Sequence, residues 1–154
     1  MLEEMHVTQT RPQPIALIRL TIPRAEIRNM MGPARQELAA VLAQQGLTPA
    51  GPGFCHHFRM SPQVFDFEVC VPVPAPVTAS GRVQPGLLPA MTVASAIYRG
   101  PYEGLGSAWP EFDAWIHSQG RQTGPELWEH YLSGPERSAN PADWQTEFWR
   151  LLAD

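Results

Sequence analysis

The chain matches itself. The stretch MMGPARQELAAVLAQQG, Met30 to Gly46, aligns with GLGSAWPEFDAWIHSQG, Gly104 to Gly120, at a constant offset of 74 residues. Met31 falls on Leu105, Gly32 on Gly106, Ala34 on Ala108, Glu37 on Glu111, Leu38 on Phe112, Val41 on Trp115 and Leu42 on Ile116. Apolar character is kept at positions that share one face of a 3.6-residue helix, as duplicated packing requires. Each half is too small to bury a good core alone, so the 154 residues are expected to fold as one cooperative unit.

The likeness continues into the strands. GPGFCHHF, from Gly51, matches GPELWEHY, from Gly124, if one loop residue is lost, which sets His56 over Glu129. VFDFEVCVPV resembles WQTEFWRLL, with Glu68 over Glu147. Each half therefore reads strand, helix, strand, strand: PIALIRLTI, the first helix, FCHHFRM and VFDFEVCVPV, then MTVASAIY, the second helix, LWEHYL and TEFWRLL. Gly46 and Gly120 are helix-end signals, and VPVPAPVTASGRVQPG reads as a strand end followed by a Pro-rich linker. The expectation is one α+β domain made of two strand-helix-strand-strand repeats, about residues 12–75 and 88–153.

Alternation on these strands says which residues share a face. Phe65, Phe67, Val69 and Val71 oppose Asp66, Glu68 and Cys70. Leu127, Glu129 and Tyr131 oppose Trp128, His130 and Leu132, and Glu147, Trp149 and Leu151 oppose Phe148. Two carboxylates, Glu129 and Glu147, are thus expected on sheet surface beside aromatics.

Charge narrows the partners. A net charge of -4 with 11 Lys plus Arg and no basic cluster argues against nucleic acid, because affinity for phosphate backbones is mostly counterion release by clustered cations. No run approaches the roughly 20 apolar residues a spanning helix needs, and MLEEMHVTQTRPQP lacks the basic-then-apolar order of a secretory signal, so a soluble cytoplasmic protein without a membrane partner is expected. Cys55 and Cys70 cannot build a disulfide framework and are expected to be free buried thiols. His56 and His57 are adjacent on a strand and point to opposite faces, with no third ligand placed beside either, so neither a metal nor another cofactor is expected.

Tyr98-Arg99-Gly100-Pro101-Tyr102-Glu103-Gly104-Leu105, then Gly124-Pro125 with Trp128-Glu129-His130-Tyr131-Leu132, then Thr146-Glu147-Phe148, together resemble the GyrI-like small-molecule-binding domains, which also occur as effector-binding modules of AraC-type and MerR-type regulators. The first half, with Phe67-Glu68-Val69 running into Val71-Pro72-Val73, is similar to that family's first repeat, so the likeness covers essentially the whole chain; Cys70 stands where the family often has glycine. The resemblance implies a pseudo-twofold pair of repeats, an antiparallel sheet with helices on one side and a ligand cleft between the repeats. It also implies that Glu129 lies at the cleft floor, meeting the positive charge or donor of a flat, lipophilic ligand, with Glu147 as a second acidic position. Tyr98, Tyr102, Trp109, Trp128, Tyr131 and Trp149 are the aromatic candidates for stacking on such a cation, worth about 0.5 to 2 kcal/mol each.

Three function classes follow. The first is a binding protein that senses or sequesters a small lipophilic aromatic, expectedly cationic, molecule; almost the whole chain is consumed by the two repeats, leaving no helix-turn-helix. The second, implied by members of the family thought to open strained cyclopropane rings of DNA-alkylating natural products, is a hydrolase in which Glu129 is general base and Tyr131 or Tyr102 hydrogen-bonds the carbonyl that gains charge. The third, suggested by the family name, is a protein inhibitor of DNA gyrase type, for which no residue singles out a partner surface. The chain is expected to act as a monomer or weak dimer.

Overall fold

Period-2 alternation and period-3.6 apolar faces resolve, in a computed structural model, into eight strands and two long helices among the described residues. Residues 1–60, 63–135 and 137–153 are described. In chain order these are β1 (Leu2–Gln9), β2 (Gln13–Pro23), α1 (Ile27–Gln44), β3 (Phe54–Met60), β4 (Val64–Pro72), β5 (Gln84–Leu88), β6 (Thr92–Arg99), α2 (Leu105–Ser118), β7 (Thr123–Ser133) and β8 (Gln145–Leu152). The fold is α+β, and the named strand pairings are antiparallel.

Two units divide the chain: Arg11–Ala90, and Met91–Asp154 together with Met1–Thr10. In the first, the strand order is β3-β4-β2-β5. Alternate residues Ala16, Ile18 and Leu20 of β2 and Phe65, Phe67 and Val69 of β4 are buried. Ala34, Leu38, Val41 and Leu42 of α1 are buried as well, at the i, i+4, i+7, i+8 spacing of one helix face, and α1 packs on β2 and β4. In the second unit the order is β1-β6-β8-β7. There Ala108, Trp109, Phe112 and Ile116 of α2 close over Ala94, Ala96 and Tyr98 of β6, Leu127 of β7 and Phe148 of β8. Cys55 and Cys70 are buried thiols, neither of them in a disulfide, as expected.

Both helices stop where the sequence signals. Gly46 and Gly120 take φ of 68° and 75°, a left-handed conformation that costs glycine nothing. The amides that follow reach back across the last turn, Leu47 to the Leu42 carbonyl at 2.9 Å and Arg121 to that of Ile116 at 3.3 Å. The helix starts differ: α1 has 18 residues and α2 has 14. Since the ends keep their offset, α1 carries one additional turn at its N-terminus.

Three features depart from the sequence reading. The N-terminal segment is a strand, β1, paired with β6; a register shift between Glu3 and His6, with Glu4 at φ 54°, breaks the alternation that would have announced it. Part of the stretch read as linker is β5, an outer strand of its unit's order, where Pro85 costs no ladder bond that a central strand would need. The repeat alignment also shifts by one residue. His56 stands opposite Glu68 and His130 opposite Glu147, so the ladders set His56 over His130 and Cys55, not His56, over Glu129.

Candidate functional site

The site grows from one carboxylate. Glu129 sits mid-β7 on the face that meets α2, between Leu127 and Tyr131, and only 8% of it is exposed. A buried carboxylate without donors is costly. Here α2 brings the Trp109 indole, whose Nε1–H donates to Oε2 at 2.7 Å, and β7 brings Tyr131, whose hydroxyl donates to Oε1 at 3.1 Å. Burial pushes the Glu129 carboxyl above the usual carboxylate range, and the two hydrogen bonds hold it partly back.

Around it the aromatics form a continuous stack. The Trp109 ring lies on Phe148 at 4.1 Å with planes 7° apart, and Tyr98 lies on Phe148 at 5.8 Å and 10°. The Tyr98 hydroxyl donates to the Pro101 carbonyl at 2.9 Å, which ties β6 to the turn that starts α2. Gly104 leaves room for that hydroxyl: a Cβ there would lie 2.0 Å from it. Tyr102, in the same turn, meets Tyr131 edge-on at 5.9 Å and Trp144 at 4.8 Å. Thr146 is wholly buried opposite both Tyr131 and Tyr98, and its hydroxyl has no partner among the described residues.

Of the eight residues singled out in the sequence, Glu129, Tyr131, Trp109, Tyr98 and Tyr102 therefore belong to one cluster on the α2 face of the sheet. The other three do not join it. Trp128 flanks Glu129 on the strand and so points to the opposite face, where it stands across from Trp149. Glu147 is on that face too, opposite His130, whose ring packs on Trp149 at 4.1 Å. Partial burial, and Glu4 nearby, raise the Glu147 carboxyl, against a lowering by His6. Burial drives His130 down to about 3.

Phe148, Thr146 and Trp144 were not singled out as site residues. Thr146 and Phe148 entered the sequence reading as parts of the Thr146-Glu147-Phe148 likeness, and Trp144 lies just beyond the strand it introduces. Among the described residues, no group of three His, Cys, Asp or Glu could hold a metal ion, and no helix is long and apolar enough to cross a membrane.

Comparison with known proteins agrees with this architecture. The profile of the GyrI-like small molecule binding domain matches residues 3–152. Among solved structures, the C-terminal domain of EcmrR is similar with a TM-score of 0.86 at 20% identity over 98% of each chain. EcmrR in a complex with DNA gives 0.86 at 21% identity over 98% of this chain, which spans 57% of that longer one. SAV2435 bound to tetraphenylphosphonium gives 0.69 at 13% over 98% of this chain and 94% of that one. A hydrolase encoded by lin2189 from Listeria innocua gives 0.71 at 12% over 97% and 92%. At these identities the likeness is one of fold. A search of curated protein sequences gave no match. With the profile spanning nearly every residue and the same fold in these structures, the chain belongs to the GyrI-like small molecule binding domain family.

Proposed function

We propose that the small molecule bound is a lipophilic aromatic cation and that Glu129 is the group that receives it. The observation that carries this is a carboxylate 8% exposed, inside an aromatic cluster, whose two donors are neutral. An indole and a phenol bring no positive charge to the carboxylate, and a soft organic cation brought into the same apolar surroundings would supply it at little desolvation cost. SAV2435, similar in fold, is a structure with tetraphenylphosphonium bound, which supports the same chemistry.

Access requires Trp109 to move, because its indole caps Oε2. The helix is built to allow it. Pro110 lies inside α2 and has no N–H, so the carbonyl of Gly106 lacks its helical donor and the first turn is held less firmly than the rest. A ligand that displaces Trp109 uncovers Glu129, with Tyr98 and Phe148 left as stacking surfaces.

The test is a tryptophan-fluorescence titration with tetraphenylphosphonium against native protein and Glu129→Gln. The expected result is saturable quenching by the native protein and at least about tenfold weaker binding by the variant, the loss of one desolvated charge interaction. Equal affinity in both would rule Glu129 out as the receiving group.

The raised carboxyl of Glu129 favours one alternative. A carboxylate made more basic by burial, with the Tyr131 hydroxyl 3.1 Å away, suits a general base activating water toward a strained ring. A hydrolase would give a water-added product from a cyclopropane-bearing alkylator at catalytic protein concentration, and Glu129→Gln would bind that compound but leave it unchanged.

A further inference from the structure

Glu68 of β4 is the second carboxylate of the sheet in the Arg11–Ala90 unit that points away from α1, and it has company that Asp66 lacks. Asp66 is taken by Arg19, which donates to it from Nη2 at 2.8 Å and from Nε at 3.0 Å. Glu68 has no such partner among the described residues. Its contacts among the described residues are the His56 ring, with Nδ1 at 3.6 Å from Oε1, and the Cys70 thiol at 4.0 Å, both too long for a strong hydrogen bond. Yet its side chain is only 15% exposed.

What shields it is a groove. Leu17 of β2, Phe54, His56 and Phe58 of β3, Glu68 and the β5 residue Leu87 line a cavity of about 300 Å³. Gly86 lets β5 come close: a Cβ there would stand 2.6 Å from the Leu17 side chain and crowd it toward the cavity. The volume lies at the small end of ligand pockets, which run from about 300 to 1,000 Å³. Beside the groove the Arg19 guanidinium lies 4.0 Å over the ring of Phe58, one of its lining residues, a cation against an aromatic face.

We propose that this groove is a second small-molecule site, in the other unit from Glu129, and that it takes a small organic ammonium ion carrying one ring or a few alkyl chains. The apolar walls match the alkyl or aryl part. Glu68, short of donors and screened from water, matches the charge. An anion is excluded by the same carboxylate, and a ligand the size of tetraphenylphosphonium by the volume.

The probe is benzyltriethylammonium, titrated at pH 8 and followed by amide chemical shifts, with its uncharged carbon isostere alongside. The site predicts shifts at Leu17, His56 and Leu87 that saturate, persist unchanged in Glu129→Gln, and weaken about tenfold in Glu68→Gln and for the isostere. Leu87 is 61% exposed, so its substitution leaves the core intact. Leu87→Lys should weaken binding and Leu87→Glu strengthen it, whether or not Glu68→Gln folds. Shifts absent from these residues, lost in Glu129→Gln, or equal for the cation and its isostere would overturn the second site, whatever becomes of the first.

Discussion

Glu129 sets a charge against its own burial. Its carboxyl is raised by burial, so the folded state favours the protonated form; that contribution is present at low pH and is lost as pH rises through the carboxylate range. Glu129→Gln removes the cost and should raise Tm at pH 7.5 by a few degrees, with the gap closing as pH falls below about 5. Trp109→Phe acts the other way, taking a donor from a buried charge at about 1–3 kcal/mol, measurable by urea denaturation. The buried histidines carry the opposite sign. Burial brings His57 down to about 4 and His130 to about 3. His57, stacked on Phe67 at 5.2 Å, has an Nδ1 without a partner among the described residues. Below about pH 6.5 the unfolded chain takes up protons that the folded chain refuses, so about 2 kcal/mol of stability per histidine should be gone by pH 5. Denaturation at pH 7.5 and 5 checks this, and a flat profile would mean that the rings are solvated.

The helix α2 carries the site because of what its sequence does at both ends. At its end, Gly120 at φ 75° faces open space, so Gly120→Ala meets no clash and its cost is conformational alone, about 1 kcal/mol by thermal melting. At its start, Pro110 weakens the first turn while Trp109 anchors it to Glu129. Amide exchange should therefore be faster in residues 105–109 than in 112–118, and a bound cation should change the first group and leave the second alone. Strands were legible where alternation was clean, as in β4, β7 and β8. They were illegible where it failed: β1 is bulged and half exposed, and β5 contains Pro85 and Gly86, which read as a turn until β2 is seen to pair with them.

At the scale of the whole chain, the likeness between the two helical stretches made the fold readable. The helical match at a fixed offset gave both apolar faces, and Ala34, Leu38 and Leu42 are buried as are Ala108, Phe112 and Ile116. In the strands, a bulge and a deletion look the same in a sequence, and keeping Glu68 over Glu147 moves the match by one residue. That single step decides whether His56 corresponds to Glu129 or to His130, because neighbouring strand residues face opposite ways. The candidate site was legible in its residue types and less so in its grouping. Trp128 and Trp149 are as aromatic as Trp109, and only the strand's facing separates them from Glu129. Phe148 and Thr146 emerge as neighbours of the site once β8 lies between β6 and β7. The proposed replacement of the Trp109 indole by a lipophilic cation at Glu129 is tested most directly by a crystal structure with tetraphenylphosphonium. The phosphonium is expected within about 6 Å of the Glu129 carboxylate and the Trp109 indole turned away from it; a bound cation elsewhere, with the Trp109–Glu129 hydrogen bond intact, would contradict the proposal.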